Sequence, residues 1–317
     1  MWIACVVLSS IVRVTIGASG EEPNGASTAC QISSDGRLVL FTSSATNLVS
    51  SGPISVAAFL RDVEVETTEC VTCEMDGAGT SAVAMSPNGR YVGYLDSLPN
   101  YWVVDRWTGV SHSVAFWGGD VASSVAAGTH QGVDLSVTDN RTGATVDSIP
   151  LPAIGMPYYT SLSRTGRFLG YQIGLYDPQA GGVIYSRYVL DRSTSTTELV
   201  DENERGPTGP MRISDDGRFV CYAGRTSTVL YDRMLAATRN YPAGRGIVMT
   251  PDARFIAWVG AEGRVHVLDR MTGMIQPGPY GRDLSLSDDG SRVAFTSDLP
   301  IDRHDTNGMS DVYLWMR

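Results

Sequence analysis

The sequence predicts an all-β fold of seven four-stranded antiparallel units closed into a ring, and three observations carry that expectation. A turn of the form Asp-Gly-Arg, preceded by Ser or Asp and followed by an alternating apolar strand, recurs along the chain. Most units then carry a further strand ending in Asp-Arg or Arg-Asp. The composition suits short strands and tight turns: Gly numbers 34 in 317 residues, Ser, Thr and Val are plentiful, and lysine is absent.

The turn occurs six times, as Ser34-Asp-Gly-Arg37, Pro87-Asn-Gly-Arg90, Arg164-Thr-Gly-Arg167, Asp215-Asp-Gly-Arg218, Pro251-Asp-Ala-Arg254 and Asp288-Asp-Gly-Ser291. Asp or Asn before Gly tolerates the positive φ of a tight hairpin turn, and period-2 apolar flanks make the flanking segments strands. The following strands include Leu38–Phe41, Tyr91–Tyr94, Phe219–Tyr222 and Phe255–Trp258. The third strand ends in the charged pair, as in Phe59–Asp62, Trp102–Arg106, Tyr188–Arg192, Val229–Arg233 and Val265–Arg270. A turn, often Thr-Gly as at Thr108 and Gly109, leads to a fourth, more polar strand such as Thr67–Val71 or Thr196–Val200.

Successive copies lie roughly 36 to 53 residues apart, except for a gap of about 77 between Gly89 and Gly166. That gap holds a degenerate copy, Ser124–Gly128 followed by Val133–Gly143, which makes seven units. One such unit cannot bury both faces alone and must stack on neighbours, so the expectation is a single seven-bladed β-propeller over residues 1–317. The blades are expected near 26–73, 79–117, 118–152, 156–203, 207–242, 244–277 and 281–317. The last supplies only three strands, whereas Ser10–Gly17 is a spare alternating strand near the other end. Pairing it with Asp311–Arg317 completes the seventh blade and removes two sheet edges.

These units resemble the TolB-like, WD-related bacterial propeller repeat, in which Ser-x-Asp-Gly-Arg and an apolar strand precede an Asp-Arg strand and a Thr-rich outer strand. Ala26–Leu60 and Leu284–Leu314 match best and Asp120–Pro150 departs most, while the resemblance spans nearly the whole chain. It implies the propeller fold. For function it implies a range, from translocation accessories and binding scaffolds to polysaccharide lyases or hydrolases.

A formal net charge of -10 argues against nucleic-acid binding and against docking on anionic lipid. With every basic charge but histidine on arginine, lysine Schiff bases and P-loop lysines are excluded. No apolar run reaches membrane-spanning length. The apolar start, Met1–Val12, lacks a basic n-region, and cleavage after Ala18 would discard the closing strand. Periplasmic or secreted placement is favoured over the cytoplasm, with the compartment left open.

Five cysteines, Cys5, Cys30, Cys70, Cys73 and Cys221, offer no zinc spacing. Cys30 and Cys221 sit in apolar strands and are expected to be buried. A Cys70–Cys73 disulfide is expected to be strained if both lie on one extended strand, since a three-residue offset places them on opposite faces.

Candidate ligand residues are few. Asp305, Asn307 and Asp311, with Gly308, resemble an oxygen-rich calcium loop without its final glutamate; an ordinary Asx-turn is the alternative, and calcium is the only cofactor in view. Of the four histidines, His266 alternates within an apolar strand and is expected to pack, while His130 and His304 lie in turns. No nucleophile elbow or His-Glu-x-x-His spacing occurs. The recurrent Asp and Arg at the third strand's end, such as Asp105 with Arg106, are expected to be structural. Trp107, Trp117, Tyr158, Tyr159 and Tyr176 fall outside the repeat and would form a sugar or peptide platform if they converged. The resulting expectation is a non-catalytic, monomeric binding scaffold for a protein, peptide or glycan, with Trp107, His130, Tyr158 and Tyr176 as ligand contacts. The alternative is a polysaccharide lyase or hydrolase with its site in the central channel.

Overall fold

The computed structural model describes residues 10–317, apart from 54, 74–78, 99, 115–116, 131–133, 152–154, 180, 206–208 and 210. Every regular element among them is a strand. Strand β1 (Ser10–Arg13) precedes blade 1, which comprises β2 (Ser27–Ile32), β3 (Leu38–Ser43), β4 (Ala57–Asp62) and β5 (Thr67–Cys70). Blade 2 comprises β6 (Ser81–Met85), β7 (Tyr91–Leu95), β8 (Tyr101–Asp105) and β9 (Val110–Val114). Blade 3 comprises β10 (Trp117–Val121), β11 (Val125–His130), β12 (Asp134–Asp139) and β13 (Thr145–Pro150). Blade 4 comprises β14 (Gly155–Leu162), β15 (Phe168–Asp177), β16 (Gly182–Asp191) and β17 (Thr196–Arg205). Blade 5 comprises β18 (Arg212–Ile213), β19 (Phe219–Ala223), β20 (Ser227–Asp232) and β21 (Ala237–Pro242). Blade 6 comprises β22 (Gly244–Met249), β23 (Phe255–Gly260), β24 (Arg264–Asp269) and β25 (Met274–Tyr280). Blade 7 comprises β26 (Arg282–Leu286), β27 (Arg292–Ser297) and β28 (Asp311–Met316), with β1 as its outermost strand. All pairings are antiparallel, and the result is a seven-bladed β-propeller.

The first turn of each blade shows why the repeat forms a hairpin. In blade 1 the Asp35 carboxylate accepts from the Ser33 hydroxyl at 2.5 Å and from the Arg37 N–H at 3.0 Å, while the Leu38 N–H donates to Ser33 Oγ at 2.8 Å. Gly36 adopts φ 74°, which a side chain would resist. Blade 6 tolerates Ala253 at φ 56° in the same place.

The expectation for the recurrent Asp and Arg holds in detail. The turn arginine forks onto the aspartate that ends the third strand: Arg90 donates to Asp105 at 3.0 and 2.6 Å, Arg167 to Asp191 at 3.0 and 2.7 Å, and Arg218 to Asp232 at 3.0 and 2.7 Å. Arg37 with Asp62 and Arg254 with Asp269 repeat the pair. The arginine after that aspartate caps the carbonyl of the turn glycine and reaches the preceding blade's outer strand. Arg106 donates to Gly89 O and to Glu69, Arg192 to Gly166 O and to Asp147, and Arg233 to Gly217 O and to Glu198.

Between blades lies apolar packing. Seven clusters of buried side chains each join two neighbours; one joins Ala294, Val312 and Leu314 of blade 7 to Val39, Phe41 and Phe59 of blade 1. Stacked cross-strand pairs recur where the second and third strands face each other, as in Phe41–Phe59, Tyr171–Tyr188 and Phe295–Tyr313. His266 occupies this aromatic position in blade 6, stacked on Trp258 at 5.7 Å and paired with Glu262. It is packed, as its alternation indicated.

The ring closes as the spare strand indicated. β1 pairs with β28, Ser10 opposite Met316 through Arg13 opposite Tyr313. Asp311, at 0 % exposed, accepts from Arg13 at 2.5 Å and from Thr15 Oγ1 at 2.6 Å. Blade 1 lacks a second arginine, because its charged pair runs Arg61-Asp62. Arg292 of blade 7 caps Gly36 O instead, at 3.0 Å.

The disulfide expectation needs correction. Cys70 and Cys73 are bonded, with Cα atoms 5.5 Å apart. β5 ends at Cys70, so the chain turns before Cys73, and the premise of one extended strand fails. Cys221 is buried, as its apolar strand suggested, and burial pushes its thiol up to about 12. Cys5 and the Cys30 side chain lie outside the described residues.

Replacing Arg13 with Ala leaves Asp311 buried without its cation and is expected to cost about 3–5 kcal/mol in urea denaturation. Deleting residues 1–17 removes β1, Arg13 and Thr15 together and should cost at least as much; an unchanged midpoint would mean that this strand does not tie the ring. The forks also set a pH dependence. Their arginines hold Asp62, Asp105, Asp191, Asp232 and Asp269 below the usual carboxylate range. A lowered folded value gives stability that is complete above about pH 4 and is lost as the pH falls through the folded values. Asp311 and Asp288, pushed up by burial, oppose this as two groups against five. The melting temperature should therefore fall steadily from about pH 5 to pH 2, and Arg90→Gln should make that fall shallower.

Candidate functional site: a tyrosine crest and a closed channel mouth

The two ends of the propeller differ. At one end lie the turns between first and second strands and between third and fourth strands; at the other lie the loops between second and third strands and the crossings between blades.

Blade 4 extends beyond its neighbours at the second end. β15, β16 and β17 run 10 residues each, against 4 to 7 in the other blades' second, third and outer strands. The extra length is a continuous ladder from Gln172 opposite Arg187 to Asp177 opposite Gly182. The register of β14 shifts between Pro157 and Thr160, so Tyr158 and Tyr159 lie in a bulge on the innermost strand. Tyr158 packs edge-on against Tyr185 at 5.1 Å. Burial, with Tyr158 and Tyr159 beside it, raises the Tyr185 phenol above its ordinary value. Tyr176, 68 % exposed, stands at the tip. Gly174 admits this packing, since a Cβ there would meet Tyr158, Val183 and Tyr185.

The crest has a rigid base. Arg187 is fully buried between blades 4 and 5, donating to Asp201 at 2.7 Å and to Ala223 O at 3.2 Å, with its guanidinium 4.2 Å over the Tyr222 ring. A cation so placed is held by hydrogen bonds and by the ring's quadrupole.

The expected ligand contacts do not all converge. Tyr158 and Tyr159, in the β14 bulge, and Tyr176, near the end of β15, lie at the same end of blade 4, and His130 ends β11 in the adjacent blade at that end, its side chain outside the described residues. Trp107 lies in a turn at the opposite end, 67 % exposed, beneath the Arg90 guanidinium at 4.6 Å. The Trp117 side chain is outside the described residues.

The loop before β28 uses its oxygens internally. Asp305 accepts from the Tyr313 hydroxyl at 2.6 Å, Asn307 Oδ1 accepts from the Met309 N–H at 2.7 Å, and both Asp311 oxygens meet Arg13 and Thr15. Glu22 accepts from the Thr306 and Asn307 N–H groups at 2.6 and 3.0 Å. The loop thereby fastens the N-terminal segment. Among the described residues no group of three His, Cys, Asp or Glu is arranged to hold a metal ion. His304 lies beside Asp302, and His112 Nε2 is 2.8 Å from Arg141 O.

At the first end the channel narrows to a cavity of about 140 Å³. One apolar side chain from each blade, from Ile32 to Leu286, forms a collar. Outside it Arg164 spans the mouth from blade 4, its N–H and Nε donating to Asp215 of blade 5 at 2.7 and 3.2 Å and its Nη1 paired with Asp288 of blade 7. Burial raises the Asp288 carboxyl. Sequence reasoning passed over Arg164 and Tyr185. The available signals were an arginine at a turn position held elsewhere by Ser, Pro or Asp, and the unusual length of the blade 4 strands.

No protein-family model matches the chain, and no curated protein matches it in sequence. Solved structures do match in shape. A chain of a mitotic checkpoint complex aligns with TM-score 0.63 and 8 % identity, covering 97 % of this chain and 91 % of that one. An oligogalacturonate lyase in complex with manganese gives 0.60 and 13 %, covering 97 % of each. The propeller domain of Cps50 (Swd1) from Myceliophteria thermophila gives 0.61 and 12 %, covering 98 % and 100 %. At such identities the likeness is one of fold: the seven-bladed propeller, which occurs both in binding proteins and in lyases.

Proposed function

We propose that this chain is a binding propeller of the TolB-like repeat type that engages a protein or peptide partner through the tyrosine crest of blade 4. The observation that carries this reading is the placement of exposed Tyr158, Tyr159 and Tyr176 at one end of the lengthened blade 4, where Tyr185 packs on Tyr158 and buried Arg187 holds the base. Tyrosines offer large contact area with little side-chain freedom to lose, and rigid aromatic anchors dominate interface energies. The checkpoint-complex and Swd1 propellers favour a protein partner over a glycan. The Cys70–Cys73 disulfide favours an oxidising compartment, the periplasm or the exterior.

A second reading, a polysaccharide lyase or hydrolase acting in the channel, draws on two observations. One is the shape of the oligogalacturonate lyase; the other is the convergence of Arg164, Asp215 and Asp288 from three blades. The exposed crest has no part in such chemistry, and no histidine lines the channel-mouth cavity among the described residues.

Crosslinking and affinity capture with the full chain, followed by titration of the captured partner, separates the readings. Tyr158→Ala and Tyr176→Ala should each weaken partner binding by about 2 kcal/mol, roughly thirtyfold, with unchanged circular dichroism. Affinity untouched by both substitutions, or turnover of an acidic polysaccharide that Arg164→Gln abolishes, would favour the enzyme.

A further inference from the structure

We propose that the channel wall between blades 4, 5 and 6 is a carboxylate-binding site built on Arg212 and Ser161. The innermost strands share a contact that recurs at three of the junctions between blades. In three blades the side chain two places before the turn residue equivalent to Ser33 accepts an N–H from the next blade. Ser285 Oγ takes the Ile32 N–H at 3.1 Å, Gln31 Oε1 takes the Met85 N–H at 2.5 Å, and Asp120 Oδ2 takes the Leu162 N–H at 3.0 Å. Each junction pairs an acceptor with a donor.

In blades 2 and 6 the position is apolar, Ala84 and Val248, and in blades 4 and 5 it is polar but makes no such contact among the described residues. The equivalent of Asp120 in blade 4 is Ser161, which lines the channel cavity at 1 % exposed and whose hydroxyl has no hydrogen-bond partner among the described residues. The equivalent in blade 5 is Arg212, which lines the same cavity and can only donate. Among the described residues its side chain has one hydrogen bond, from Nη1 to the adjacent Met211 carbonyl at 3.2 Å, and no carboxylate partner.

Backbone donors point the same way. The N–H groups of Ser214 and Thr250 bond within their own ladders, to Phe219 O at 3.0 Å and Phe255 O at 2.9 Å. N–H direction alternates along an antiparallel strand, so those of the preceding residues, Ile213 and Met249, face the channel.

The acids nearby are already committed. Asp120 accepts from the N–H groups of Val121 and Leu162, while Asp215 and Asp288 hold Arg164. A guanidinium, a buried hydroxyl and two backbone N–H groups thus share a wall that lacks an acceptor. A carboxylate supplies two coplanar oxygens that match the arginine fork, with an oxygen in reach of further donors. The volume of about 140 Å³ admits a small carboxylate, or the carboxylate end of a longer molecule entering past Arg164.

Isothermal titration of the full chain with acetate, and with a tripeptide bearing either a free or an amidated C terminus, tests this. The expected result is saturable acetate binding, weakened about tenfold or more in Arg212→Gln and several-fold in Ser161→Ala, with unchanged melting temperatures. The Arg212 Nε–H resonance of the unmodified chain should shift on the same titration, which reads the site without any substitution. Tighter binding of the free-acid peptide than of acetate, with none by the amide, would assign the site to a chain end; acetate alone would assign it to a free small acid. Absence of saturable binding by acetate and by the free-acid peptide, or binding that survives Arg212→Gln undiminished, would overturn the proposal.

Discussion

The structure depends on how neighbouring blades are fastened at the carbonyl of the turn glycine. That carbonyl ends a tight hairpin and has no partner in its own ladder, and the arginine after the third strand fills it. Because a guanidinium presents donors in two directions, the same side chain reaches an acid of the preceding blade: Arg106 joins Gly89 O to Glu69, and Arg233 joins Gly217 O to Glu198. An ammonium group carries its donors on one atom and could not span those sites with fixed geometry. The absence of lysine is consistent with so much of the basic charge being used in this way.

The ring departs from the repeat where it closes, and added side-chain bonds fasten it there. Blade 1 reverses its charged pair, so Arg292 replaces the missing cap from the other side of the junction. Arg13, Thr15 and Asp311 add a buried polar knot to the four-residue ladder of β1, and Glu22 ties the Thr306 loop to the same segment. A short edge strand would be a weak closure by itself, since its ladder holds few bonds. Charge pairing with no access to water makes it specific, because misregister would strand Asp311 without its cation.

The two ends of the molecule have different physical characters. Blade 4 carries exposed aromatic surface outward on a long hairpin, and Arg187 stiffens its root. At the opposite end the channel is narrowed by an apolar collar and bridged by Arg164, leaving only a small polar space beside Arg212 and Ser161. The crest thus has the room for a large partner, whereas the mouth has space only for a small group or a chain end.

Periodicity and turn chemistry by themselves determined the strands, the seven-fold repeat and the closure, because each depends on residues adjacent in sequence or recurring at fixed intervals. Asp-Gly-Arg turns, the terminal Asp-Arg pairs and the alternation of Ser10–Gly17 were legible for that reason, and so was the packed position of His266. Convergence was decided only by the tertiary structure. Nothing local distinguishes Arg164 from other turn residues, and its partners Asp215 and Asp288 are remote in sequence. Trp107 and Tyr176 read alike as unpatterned aromatics, yet a turn and the end of a lengthened strand place them at opposite ends. The Cys70–Cys73 bond likewise turned on where β5 stops, a boundary set by its ladder with β4. The Tyr158–Tyr185 contact, too, exists only because β14 bulges and β15 and β16 lengthen together.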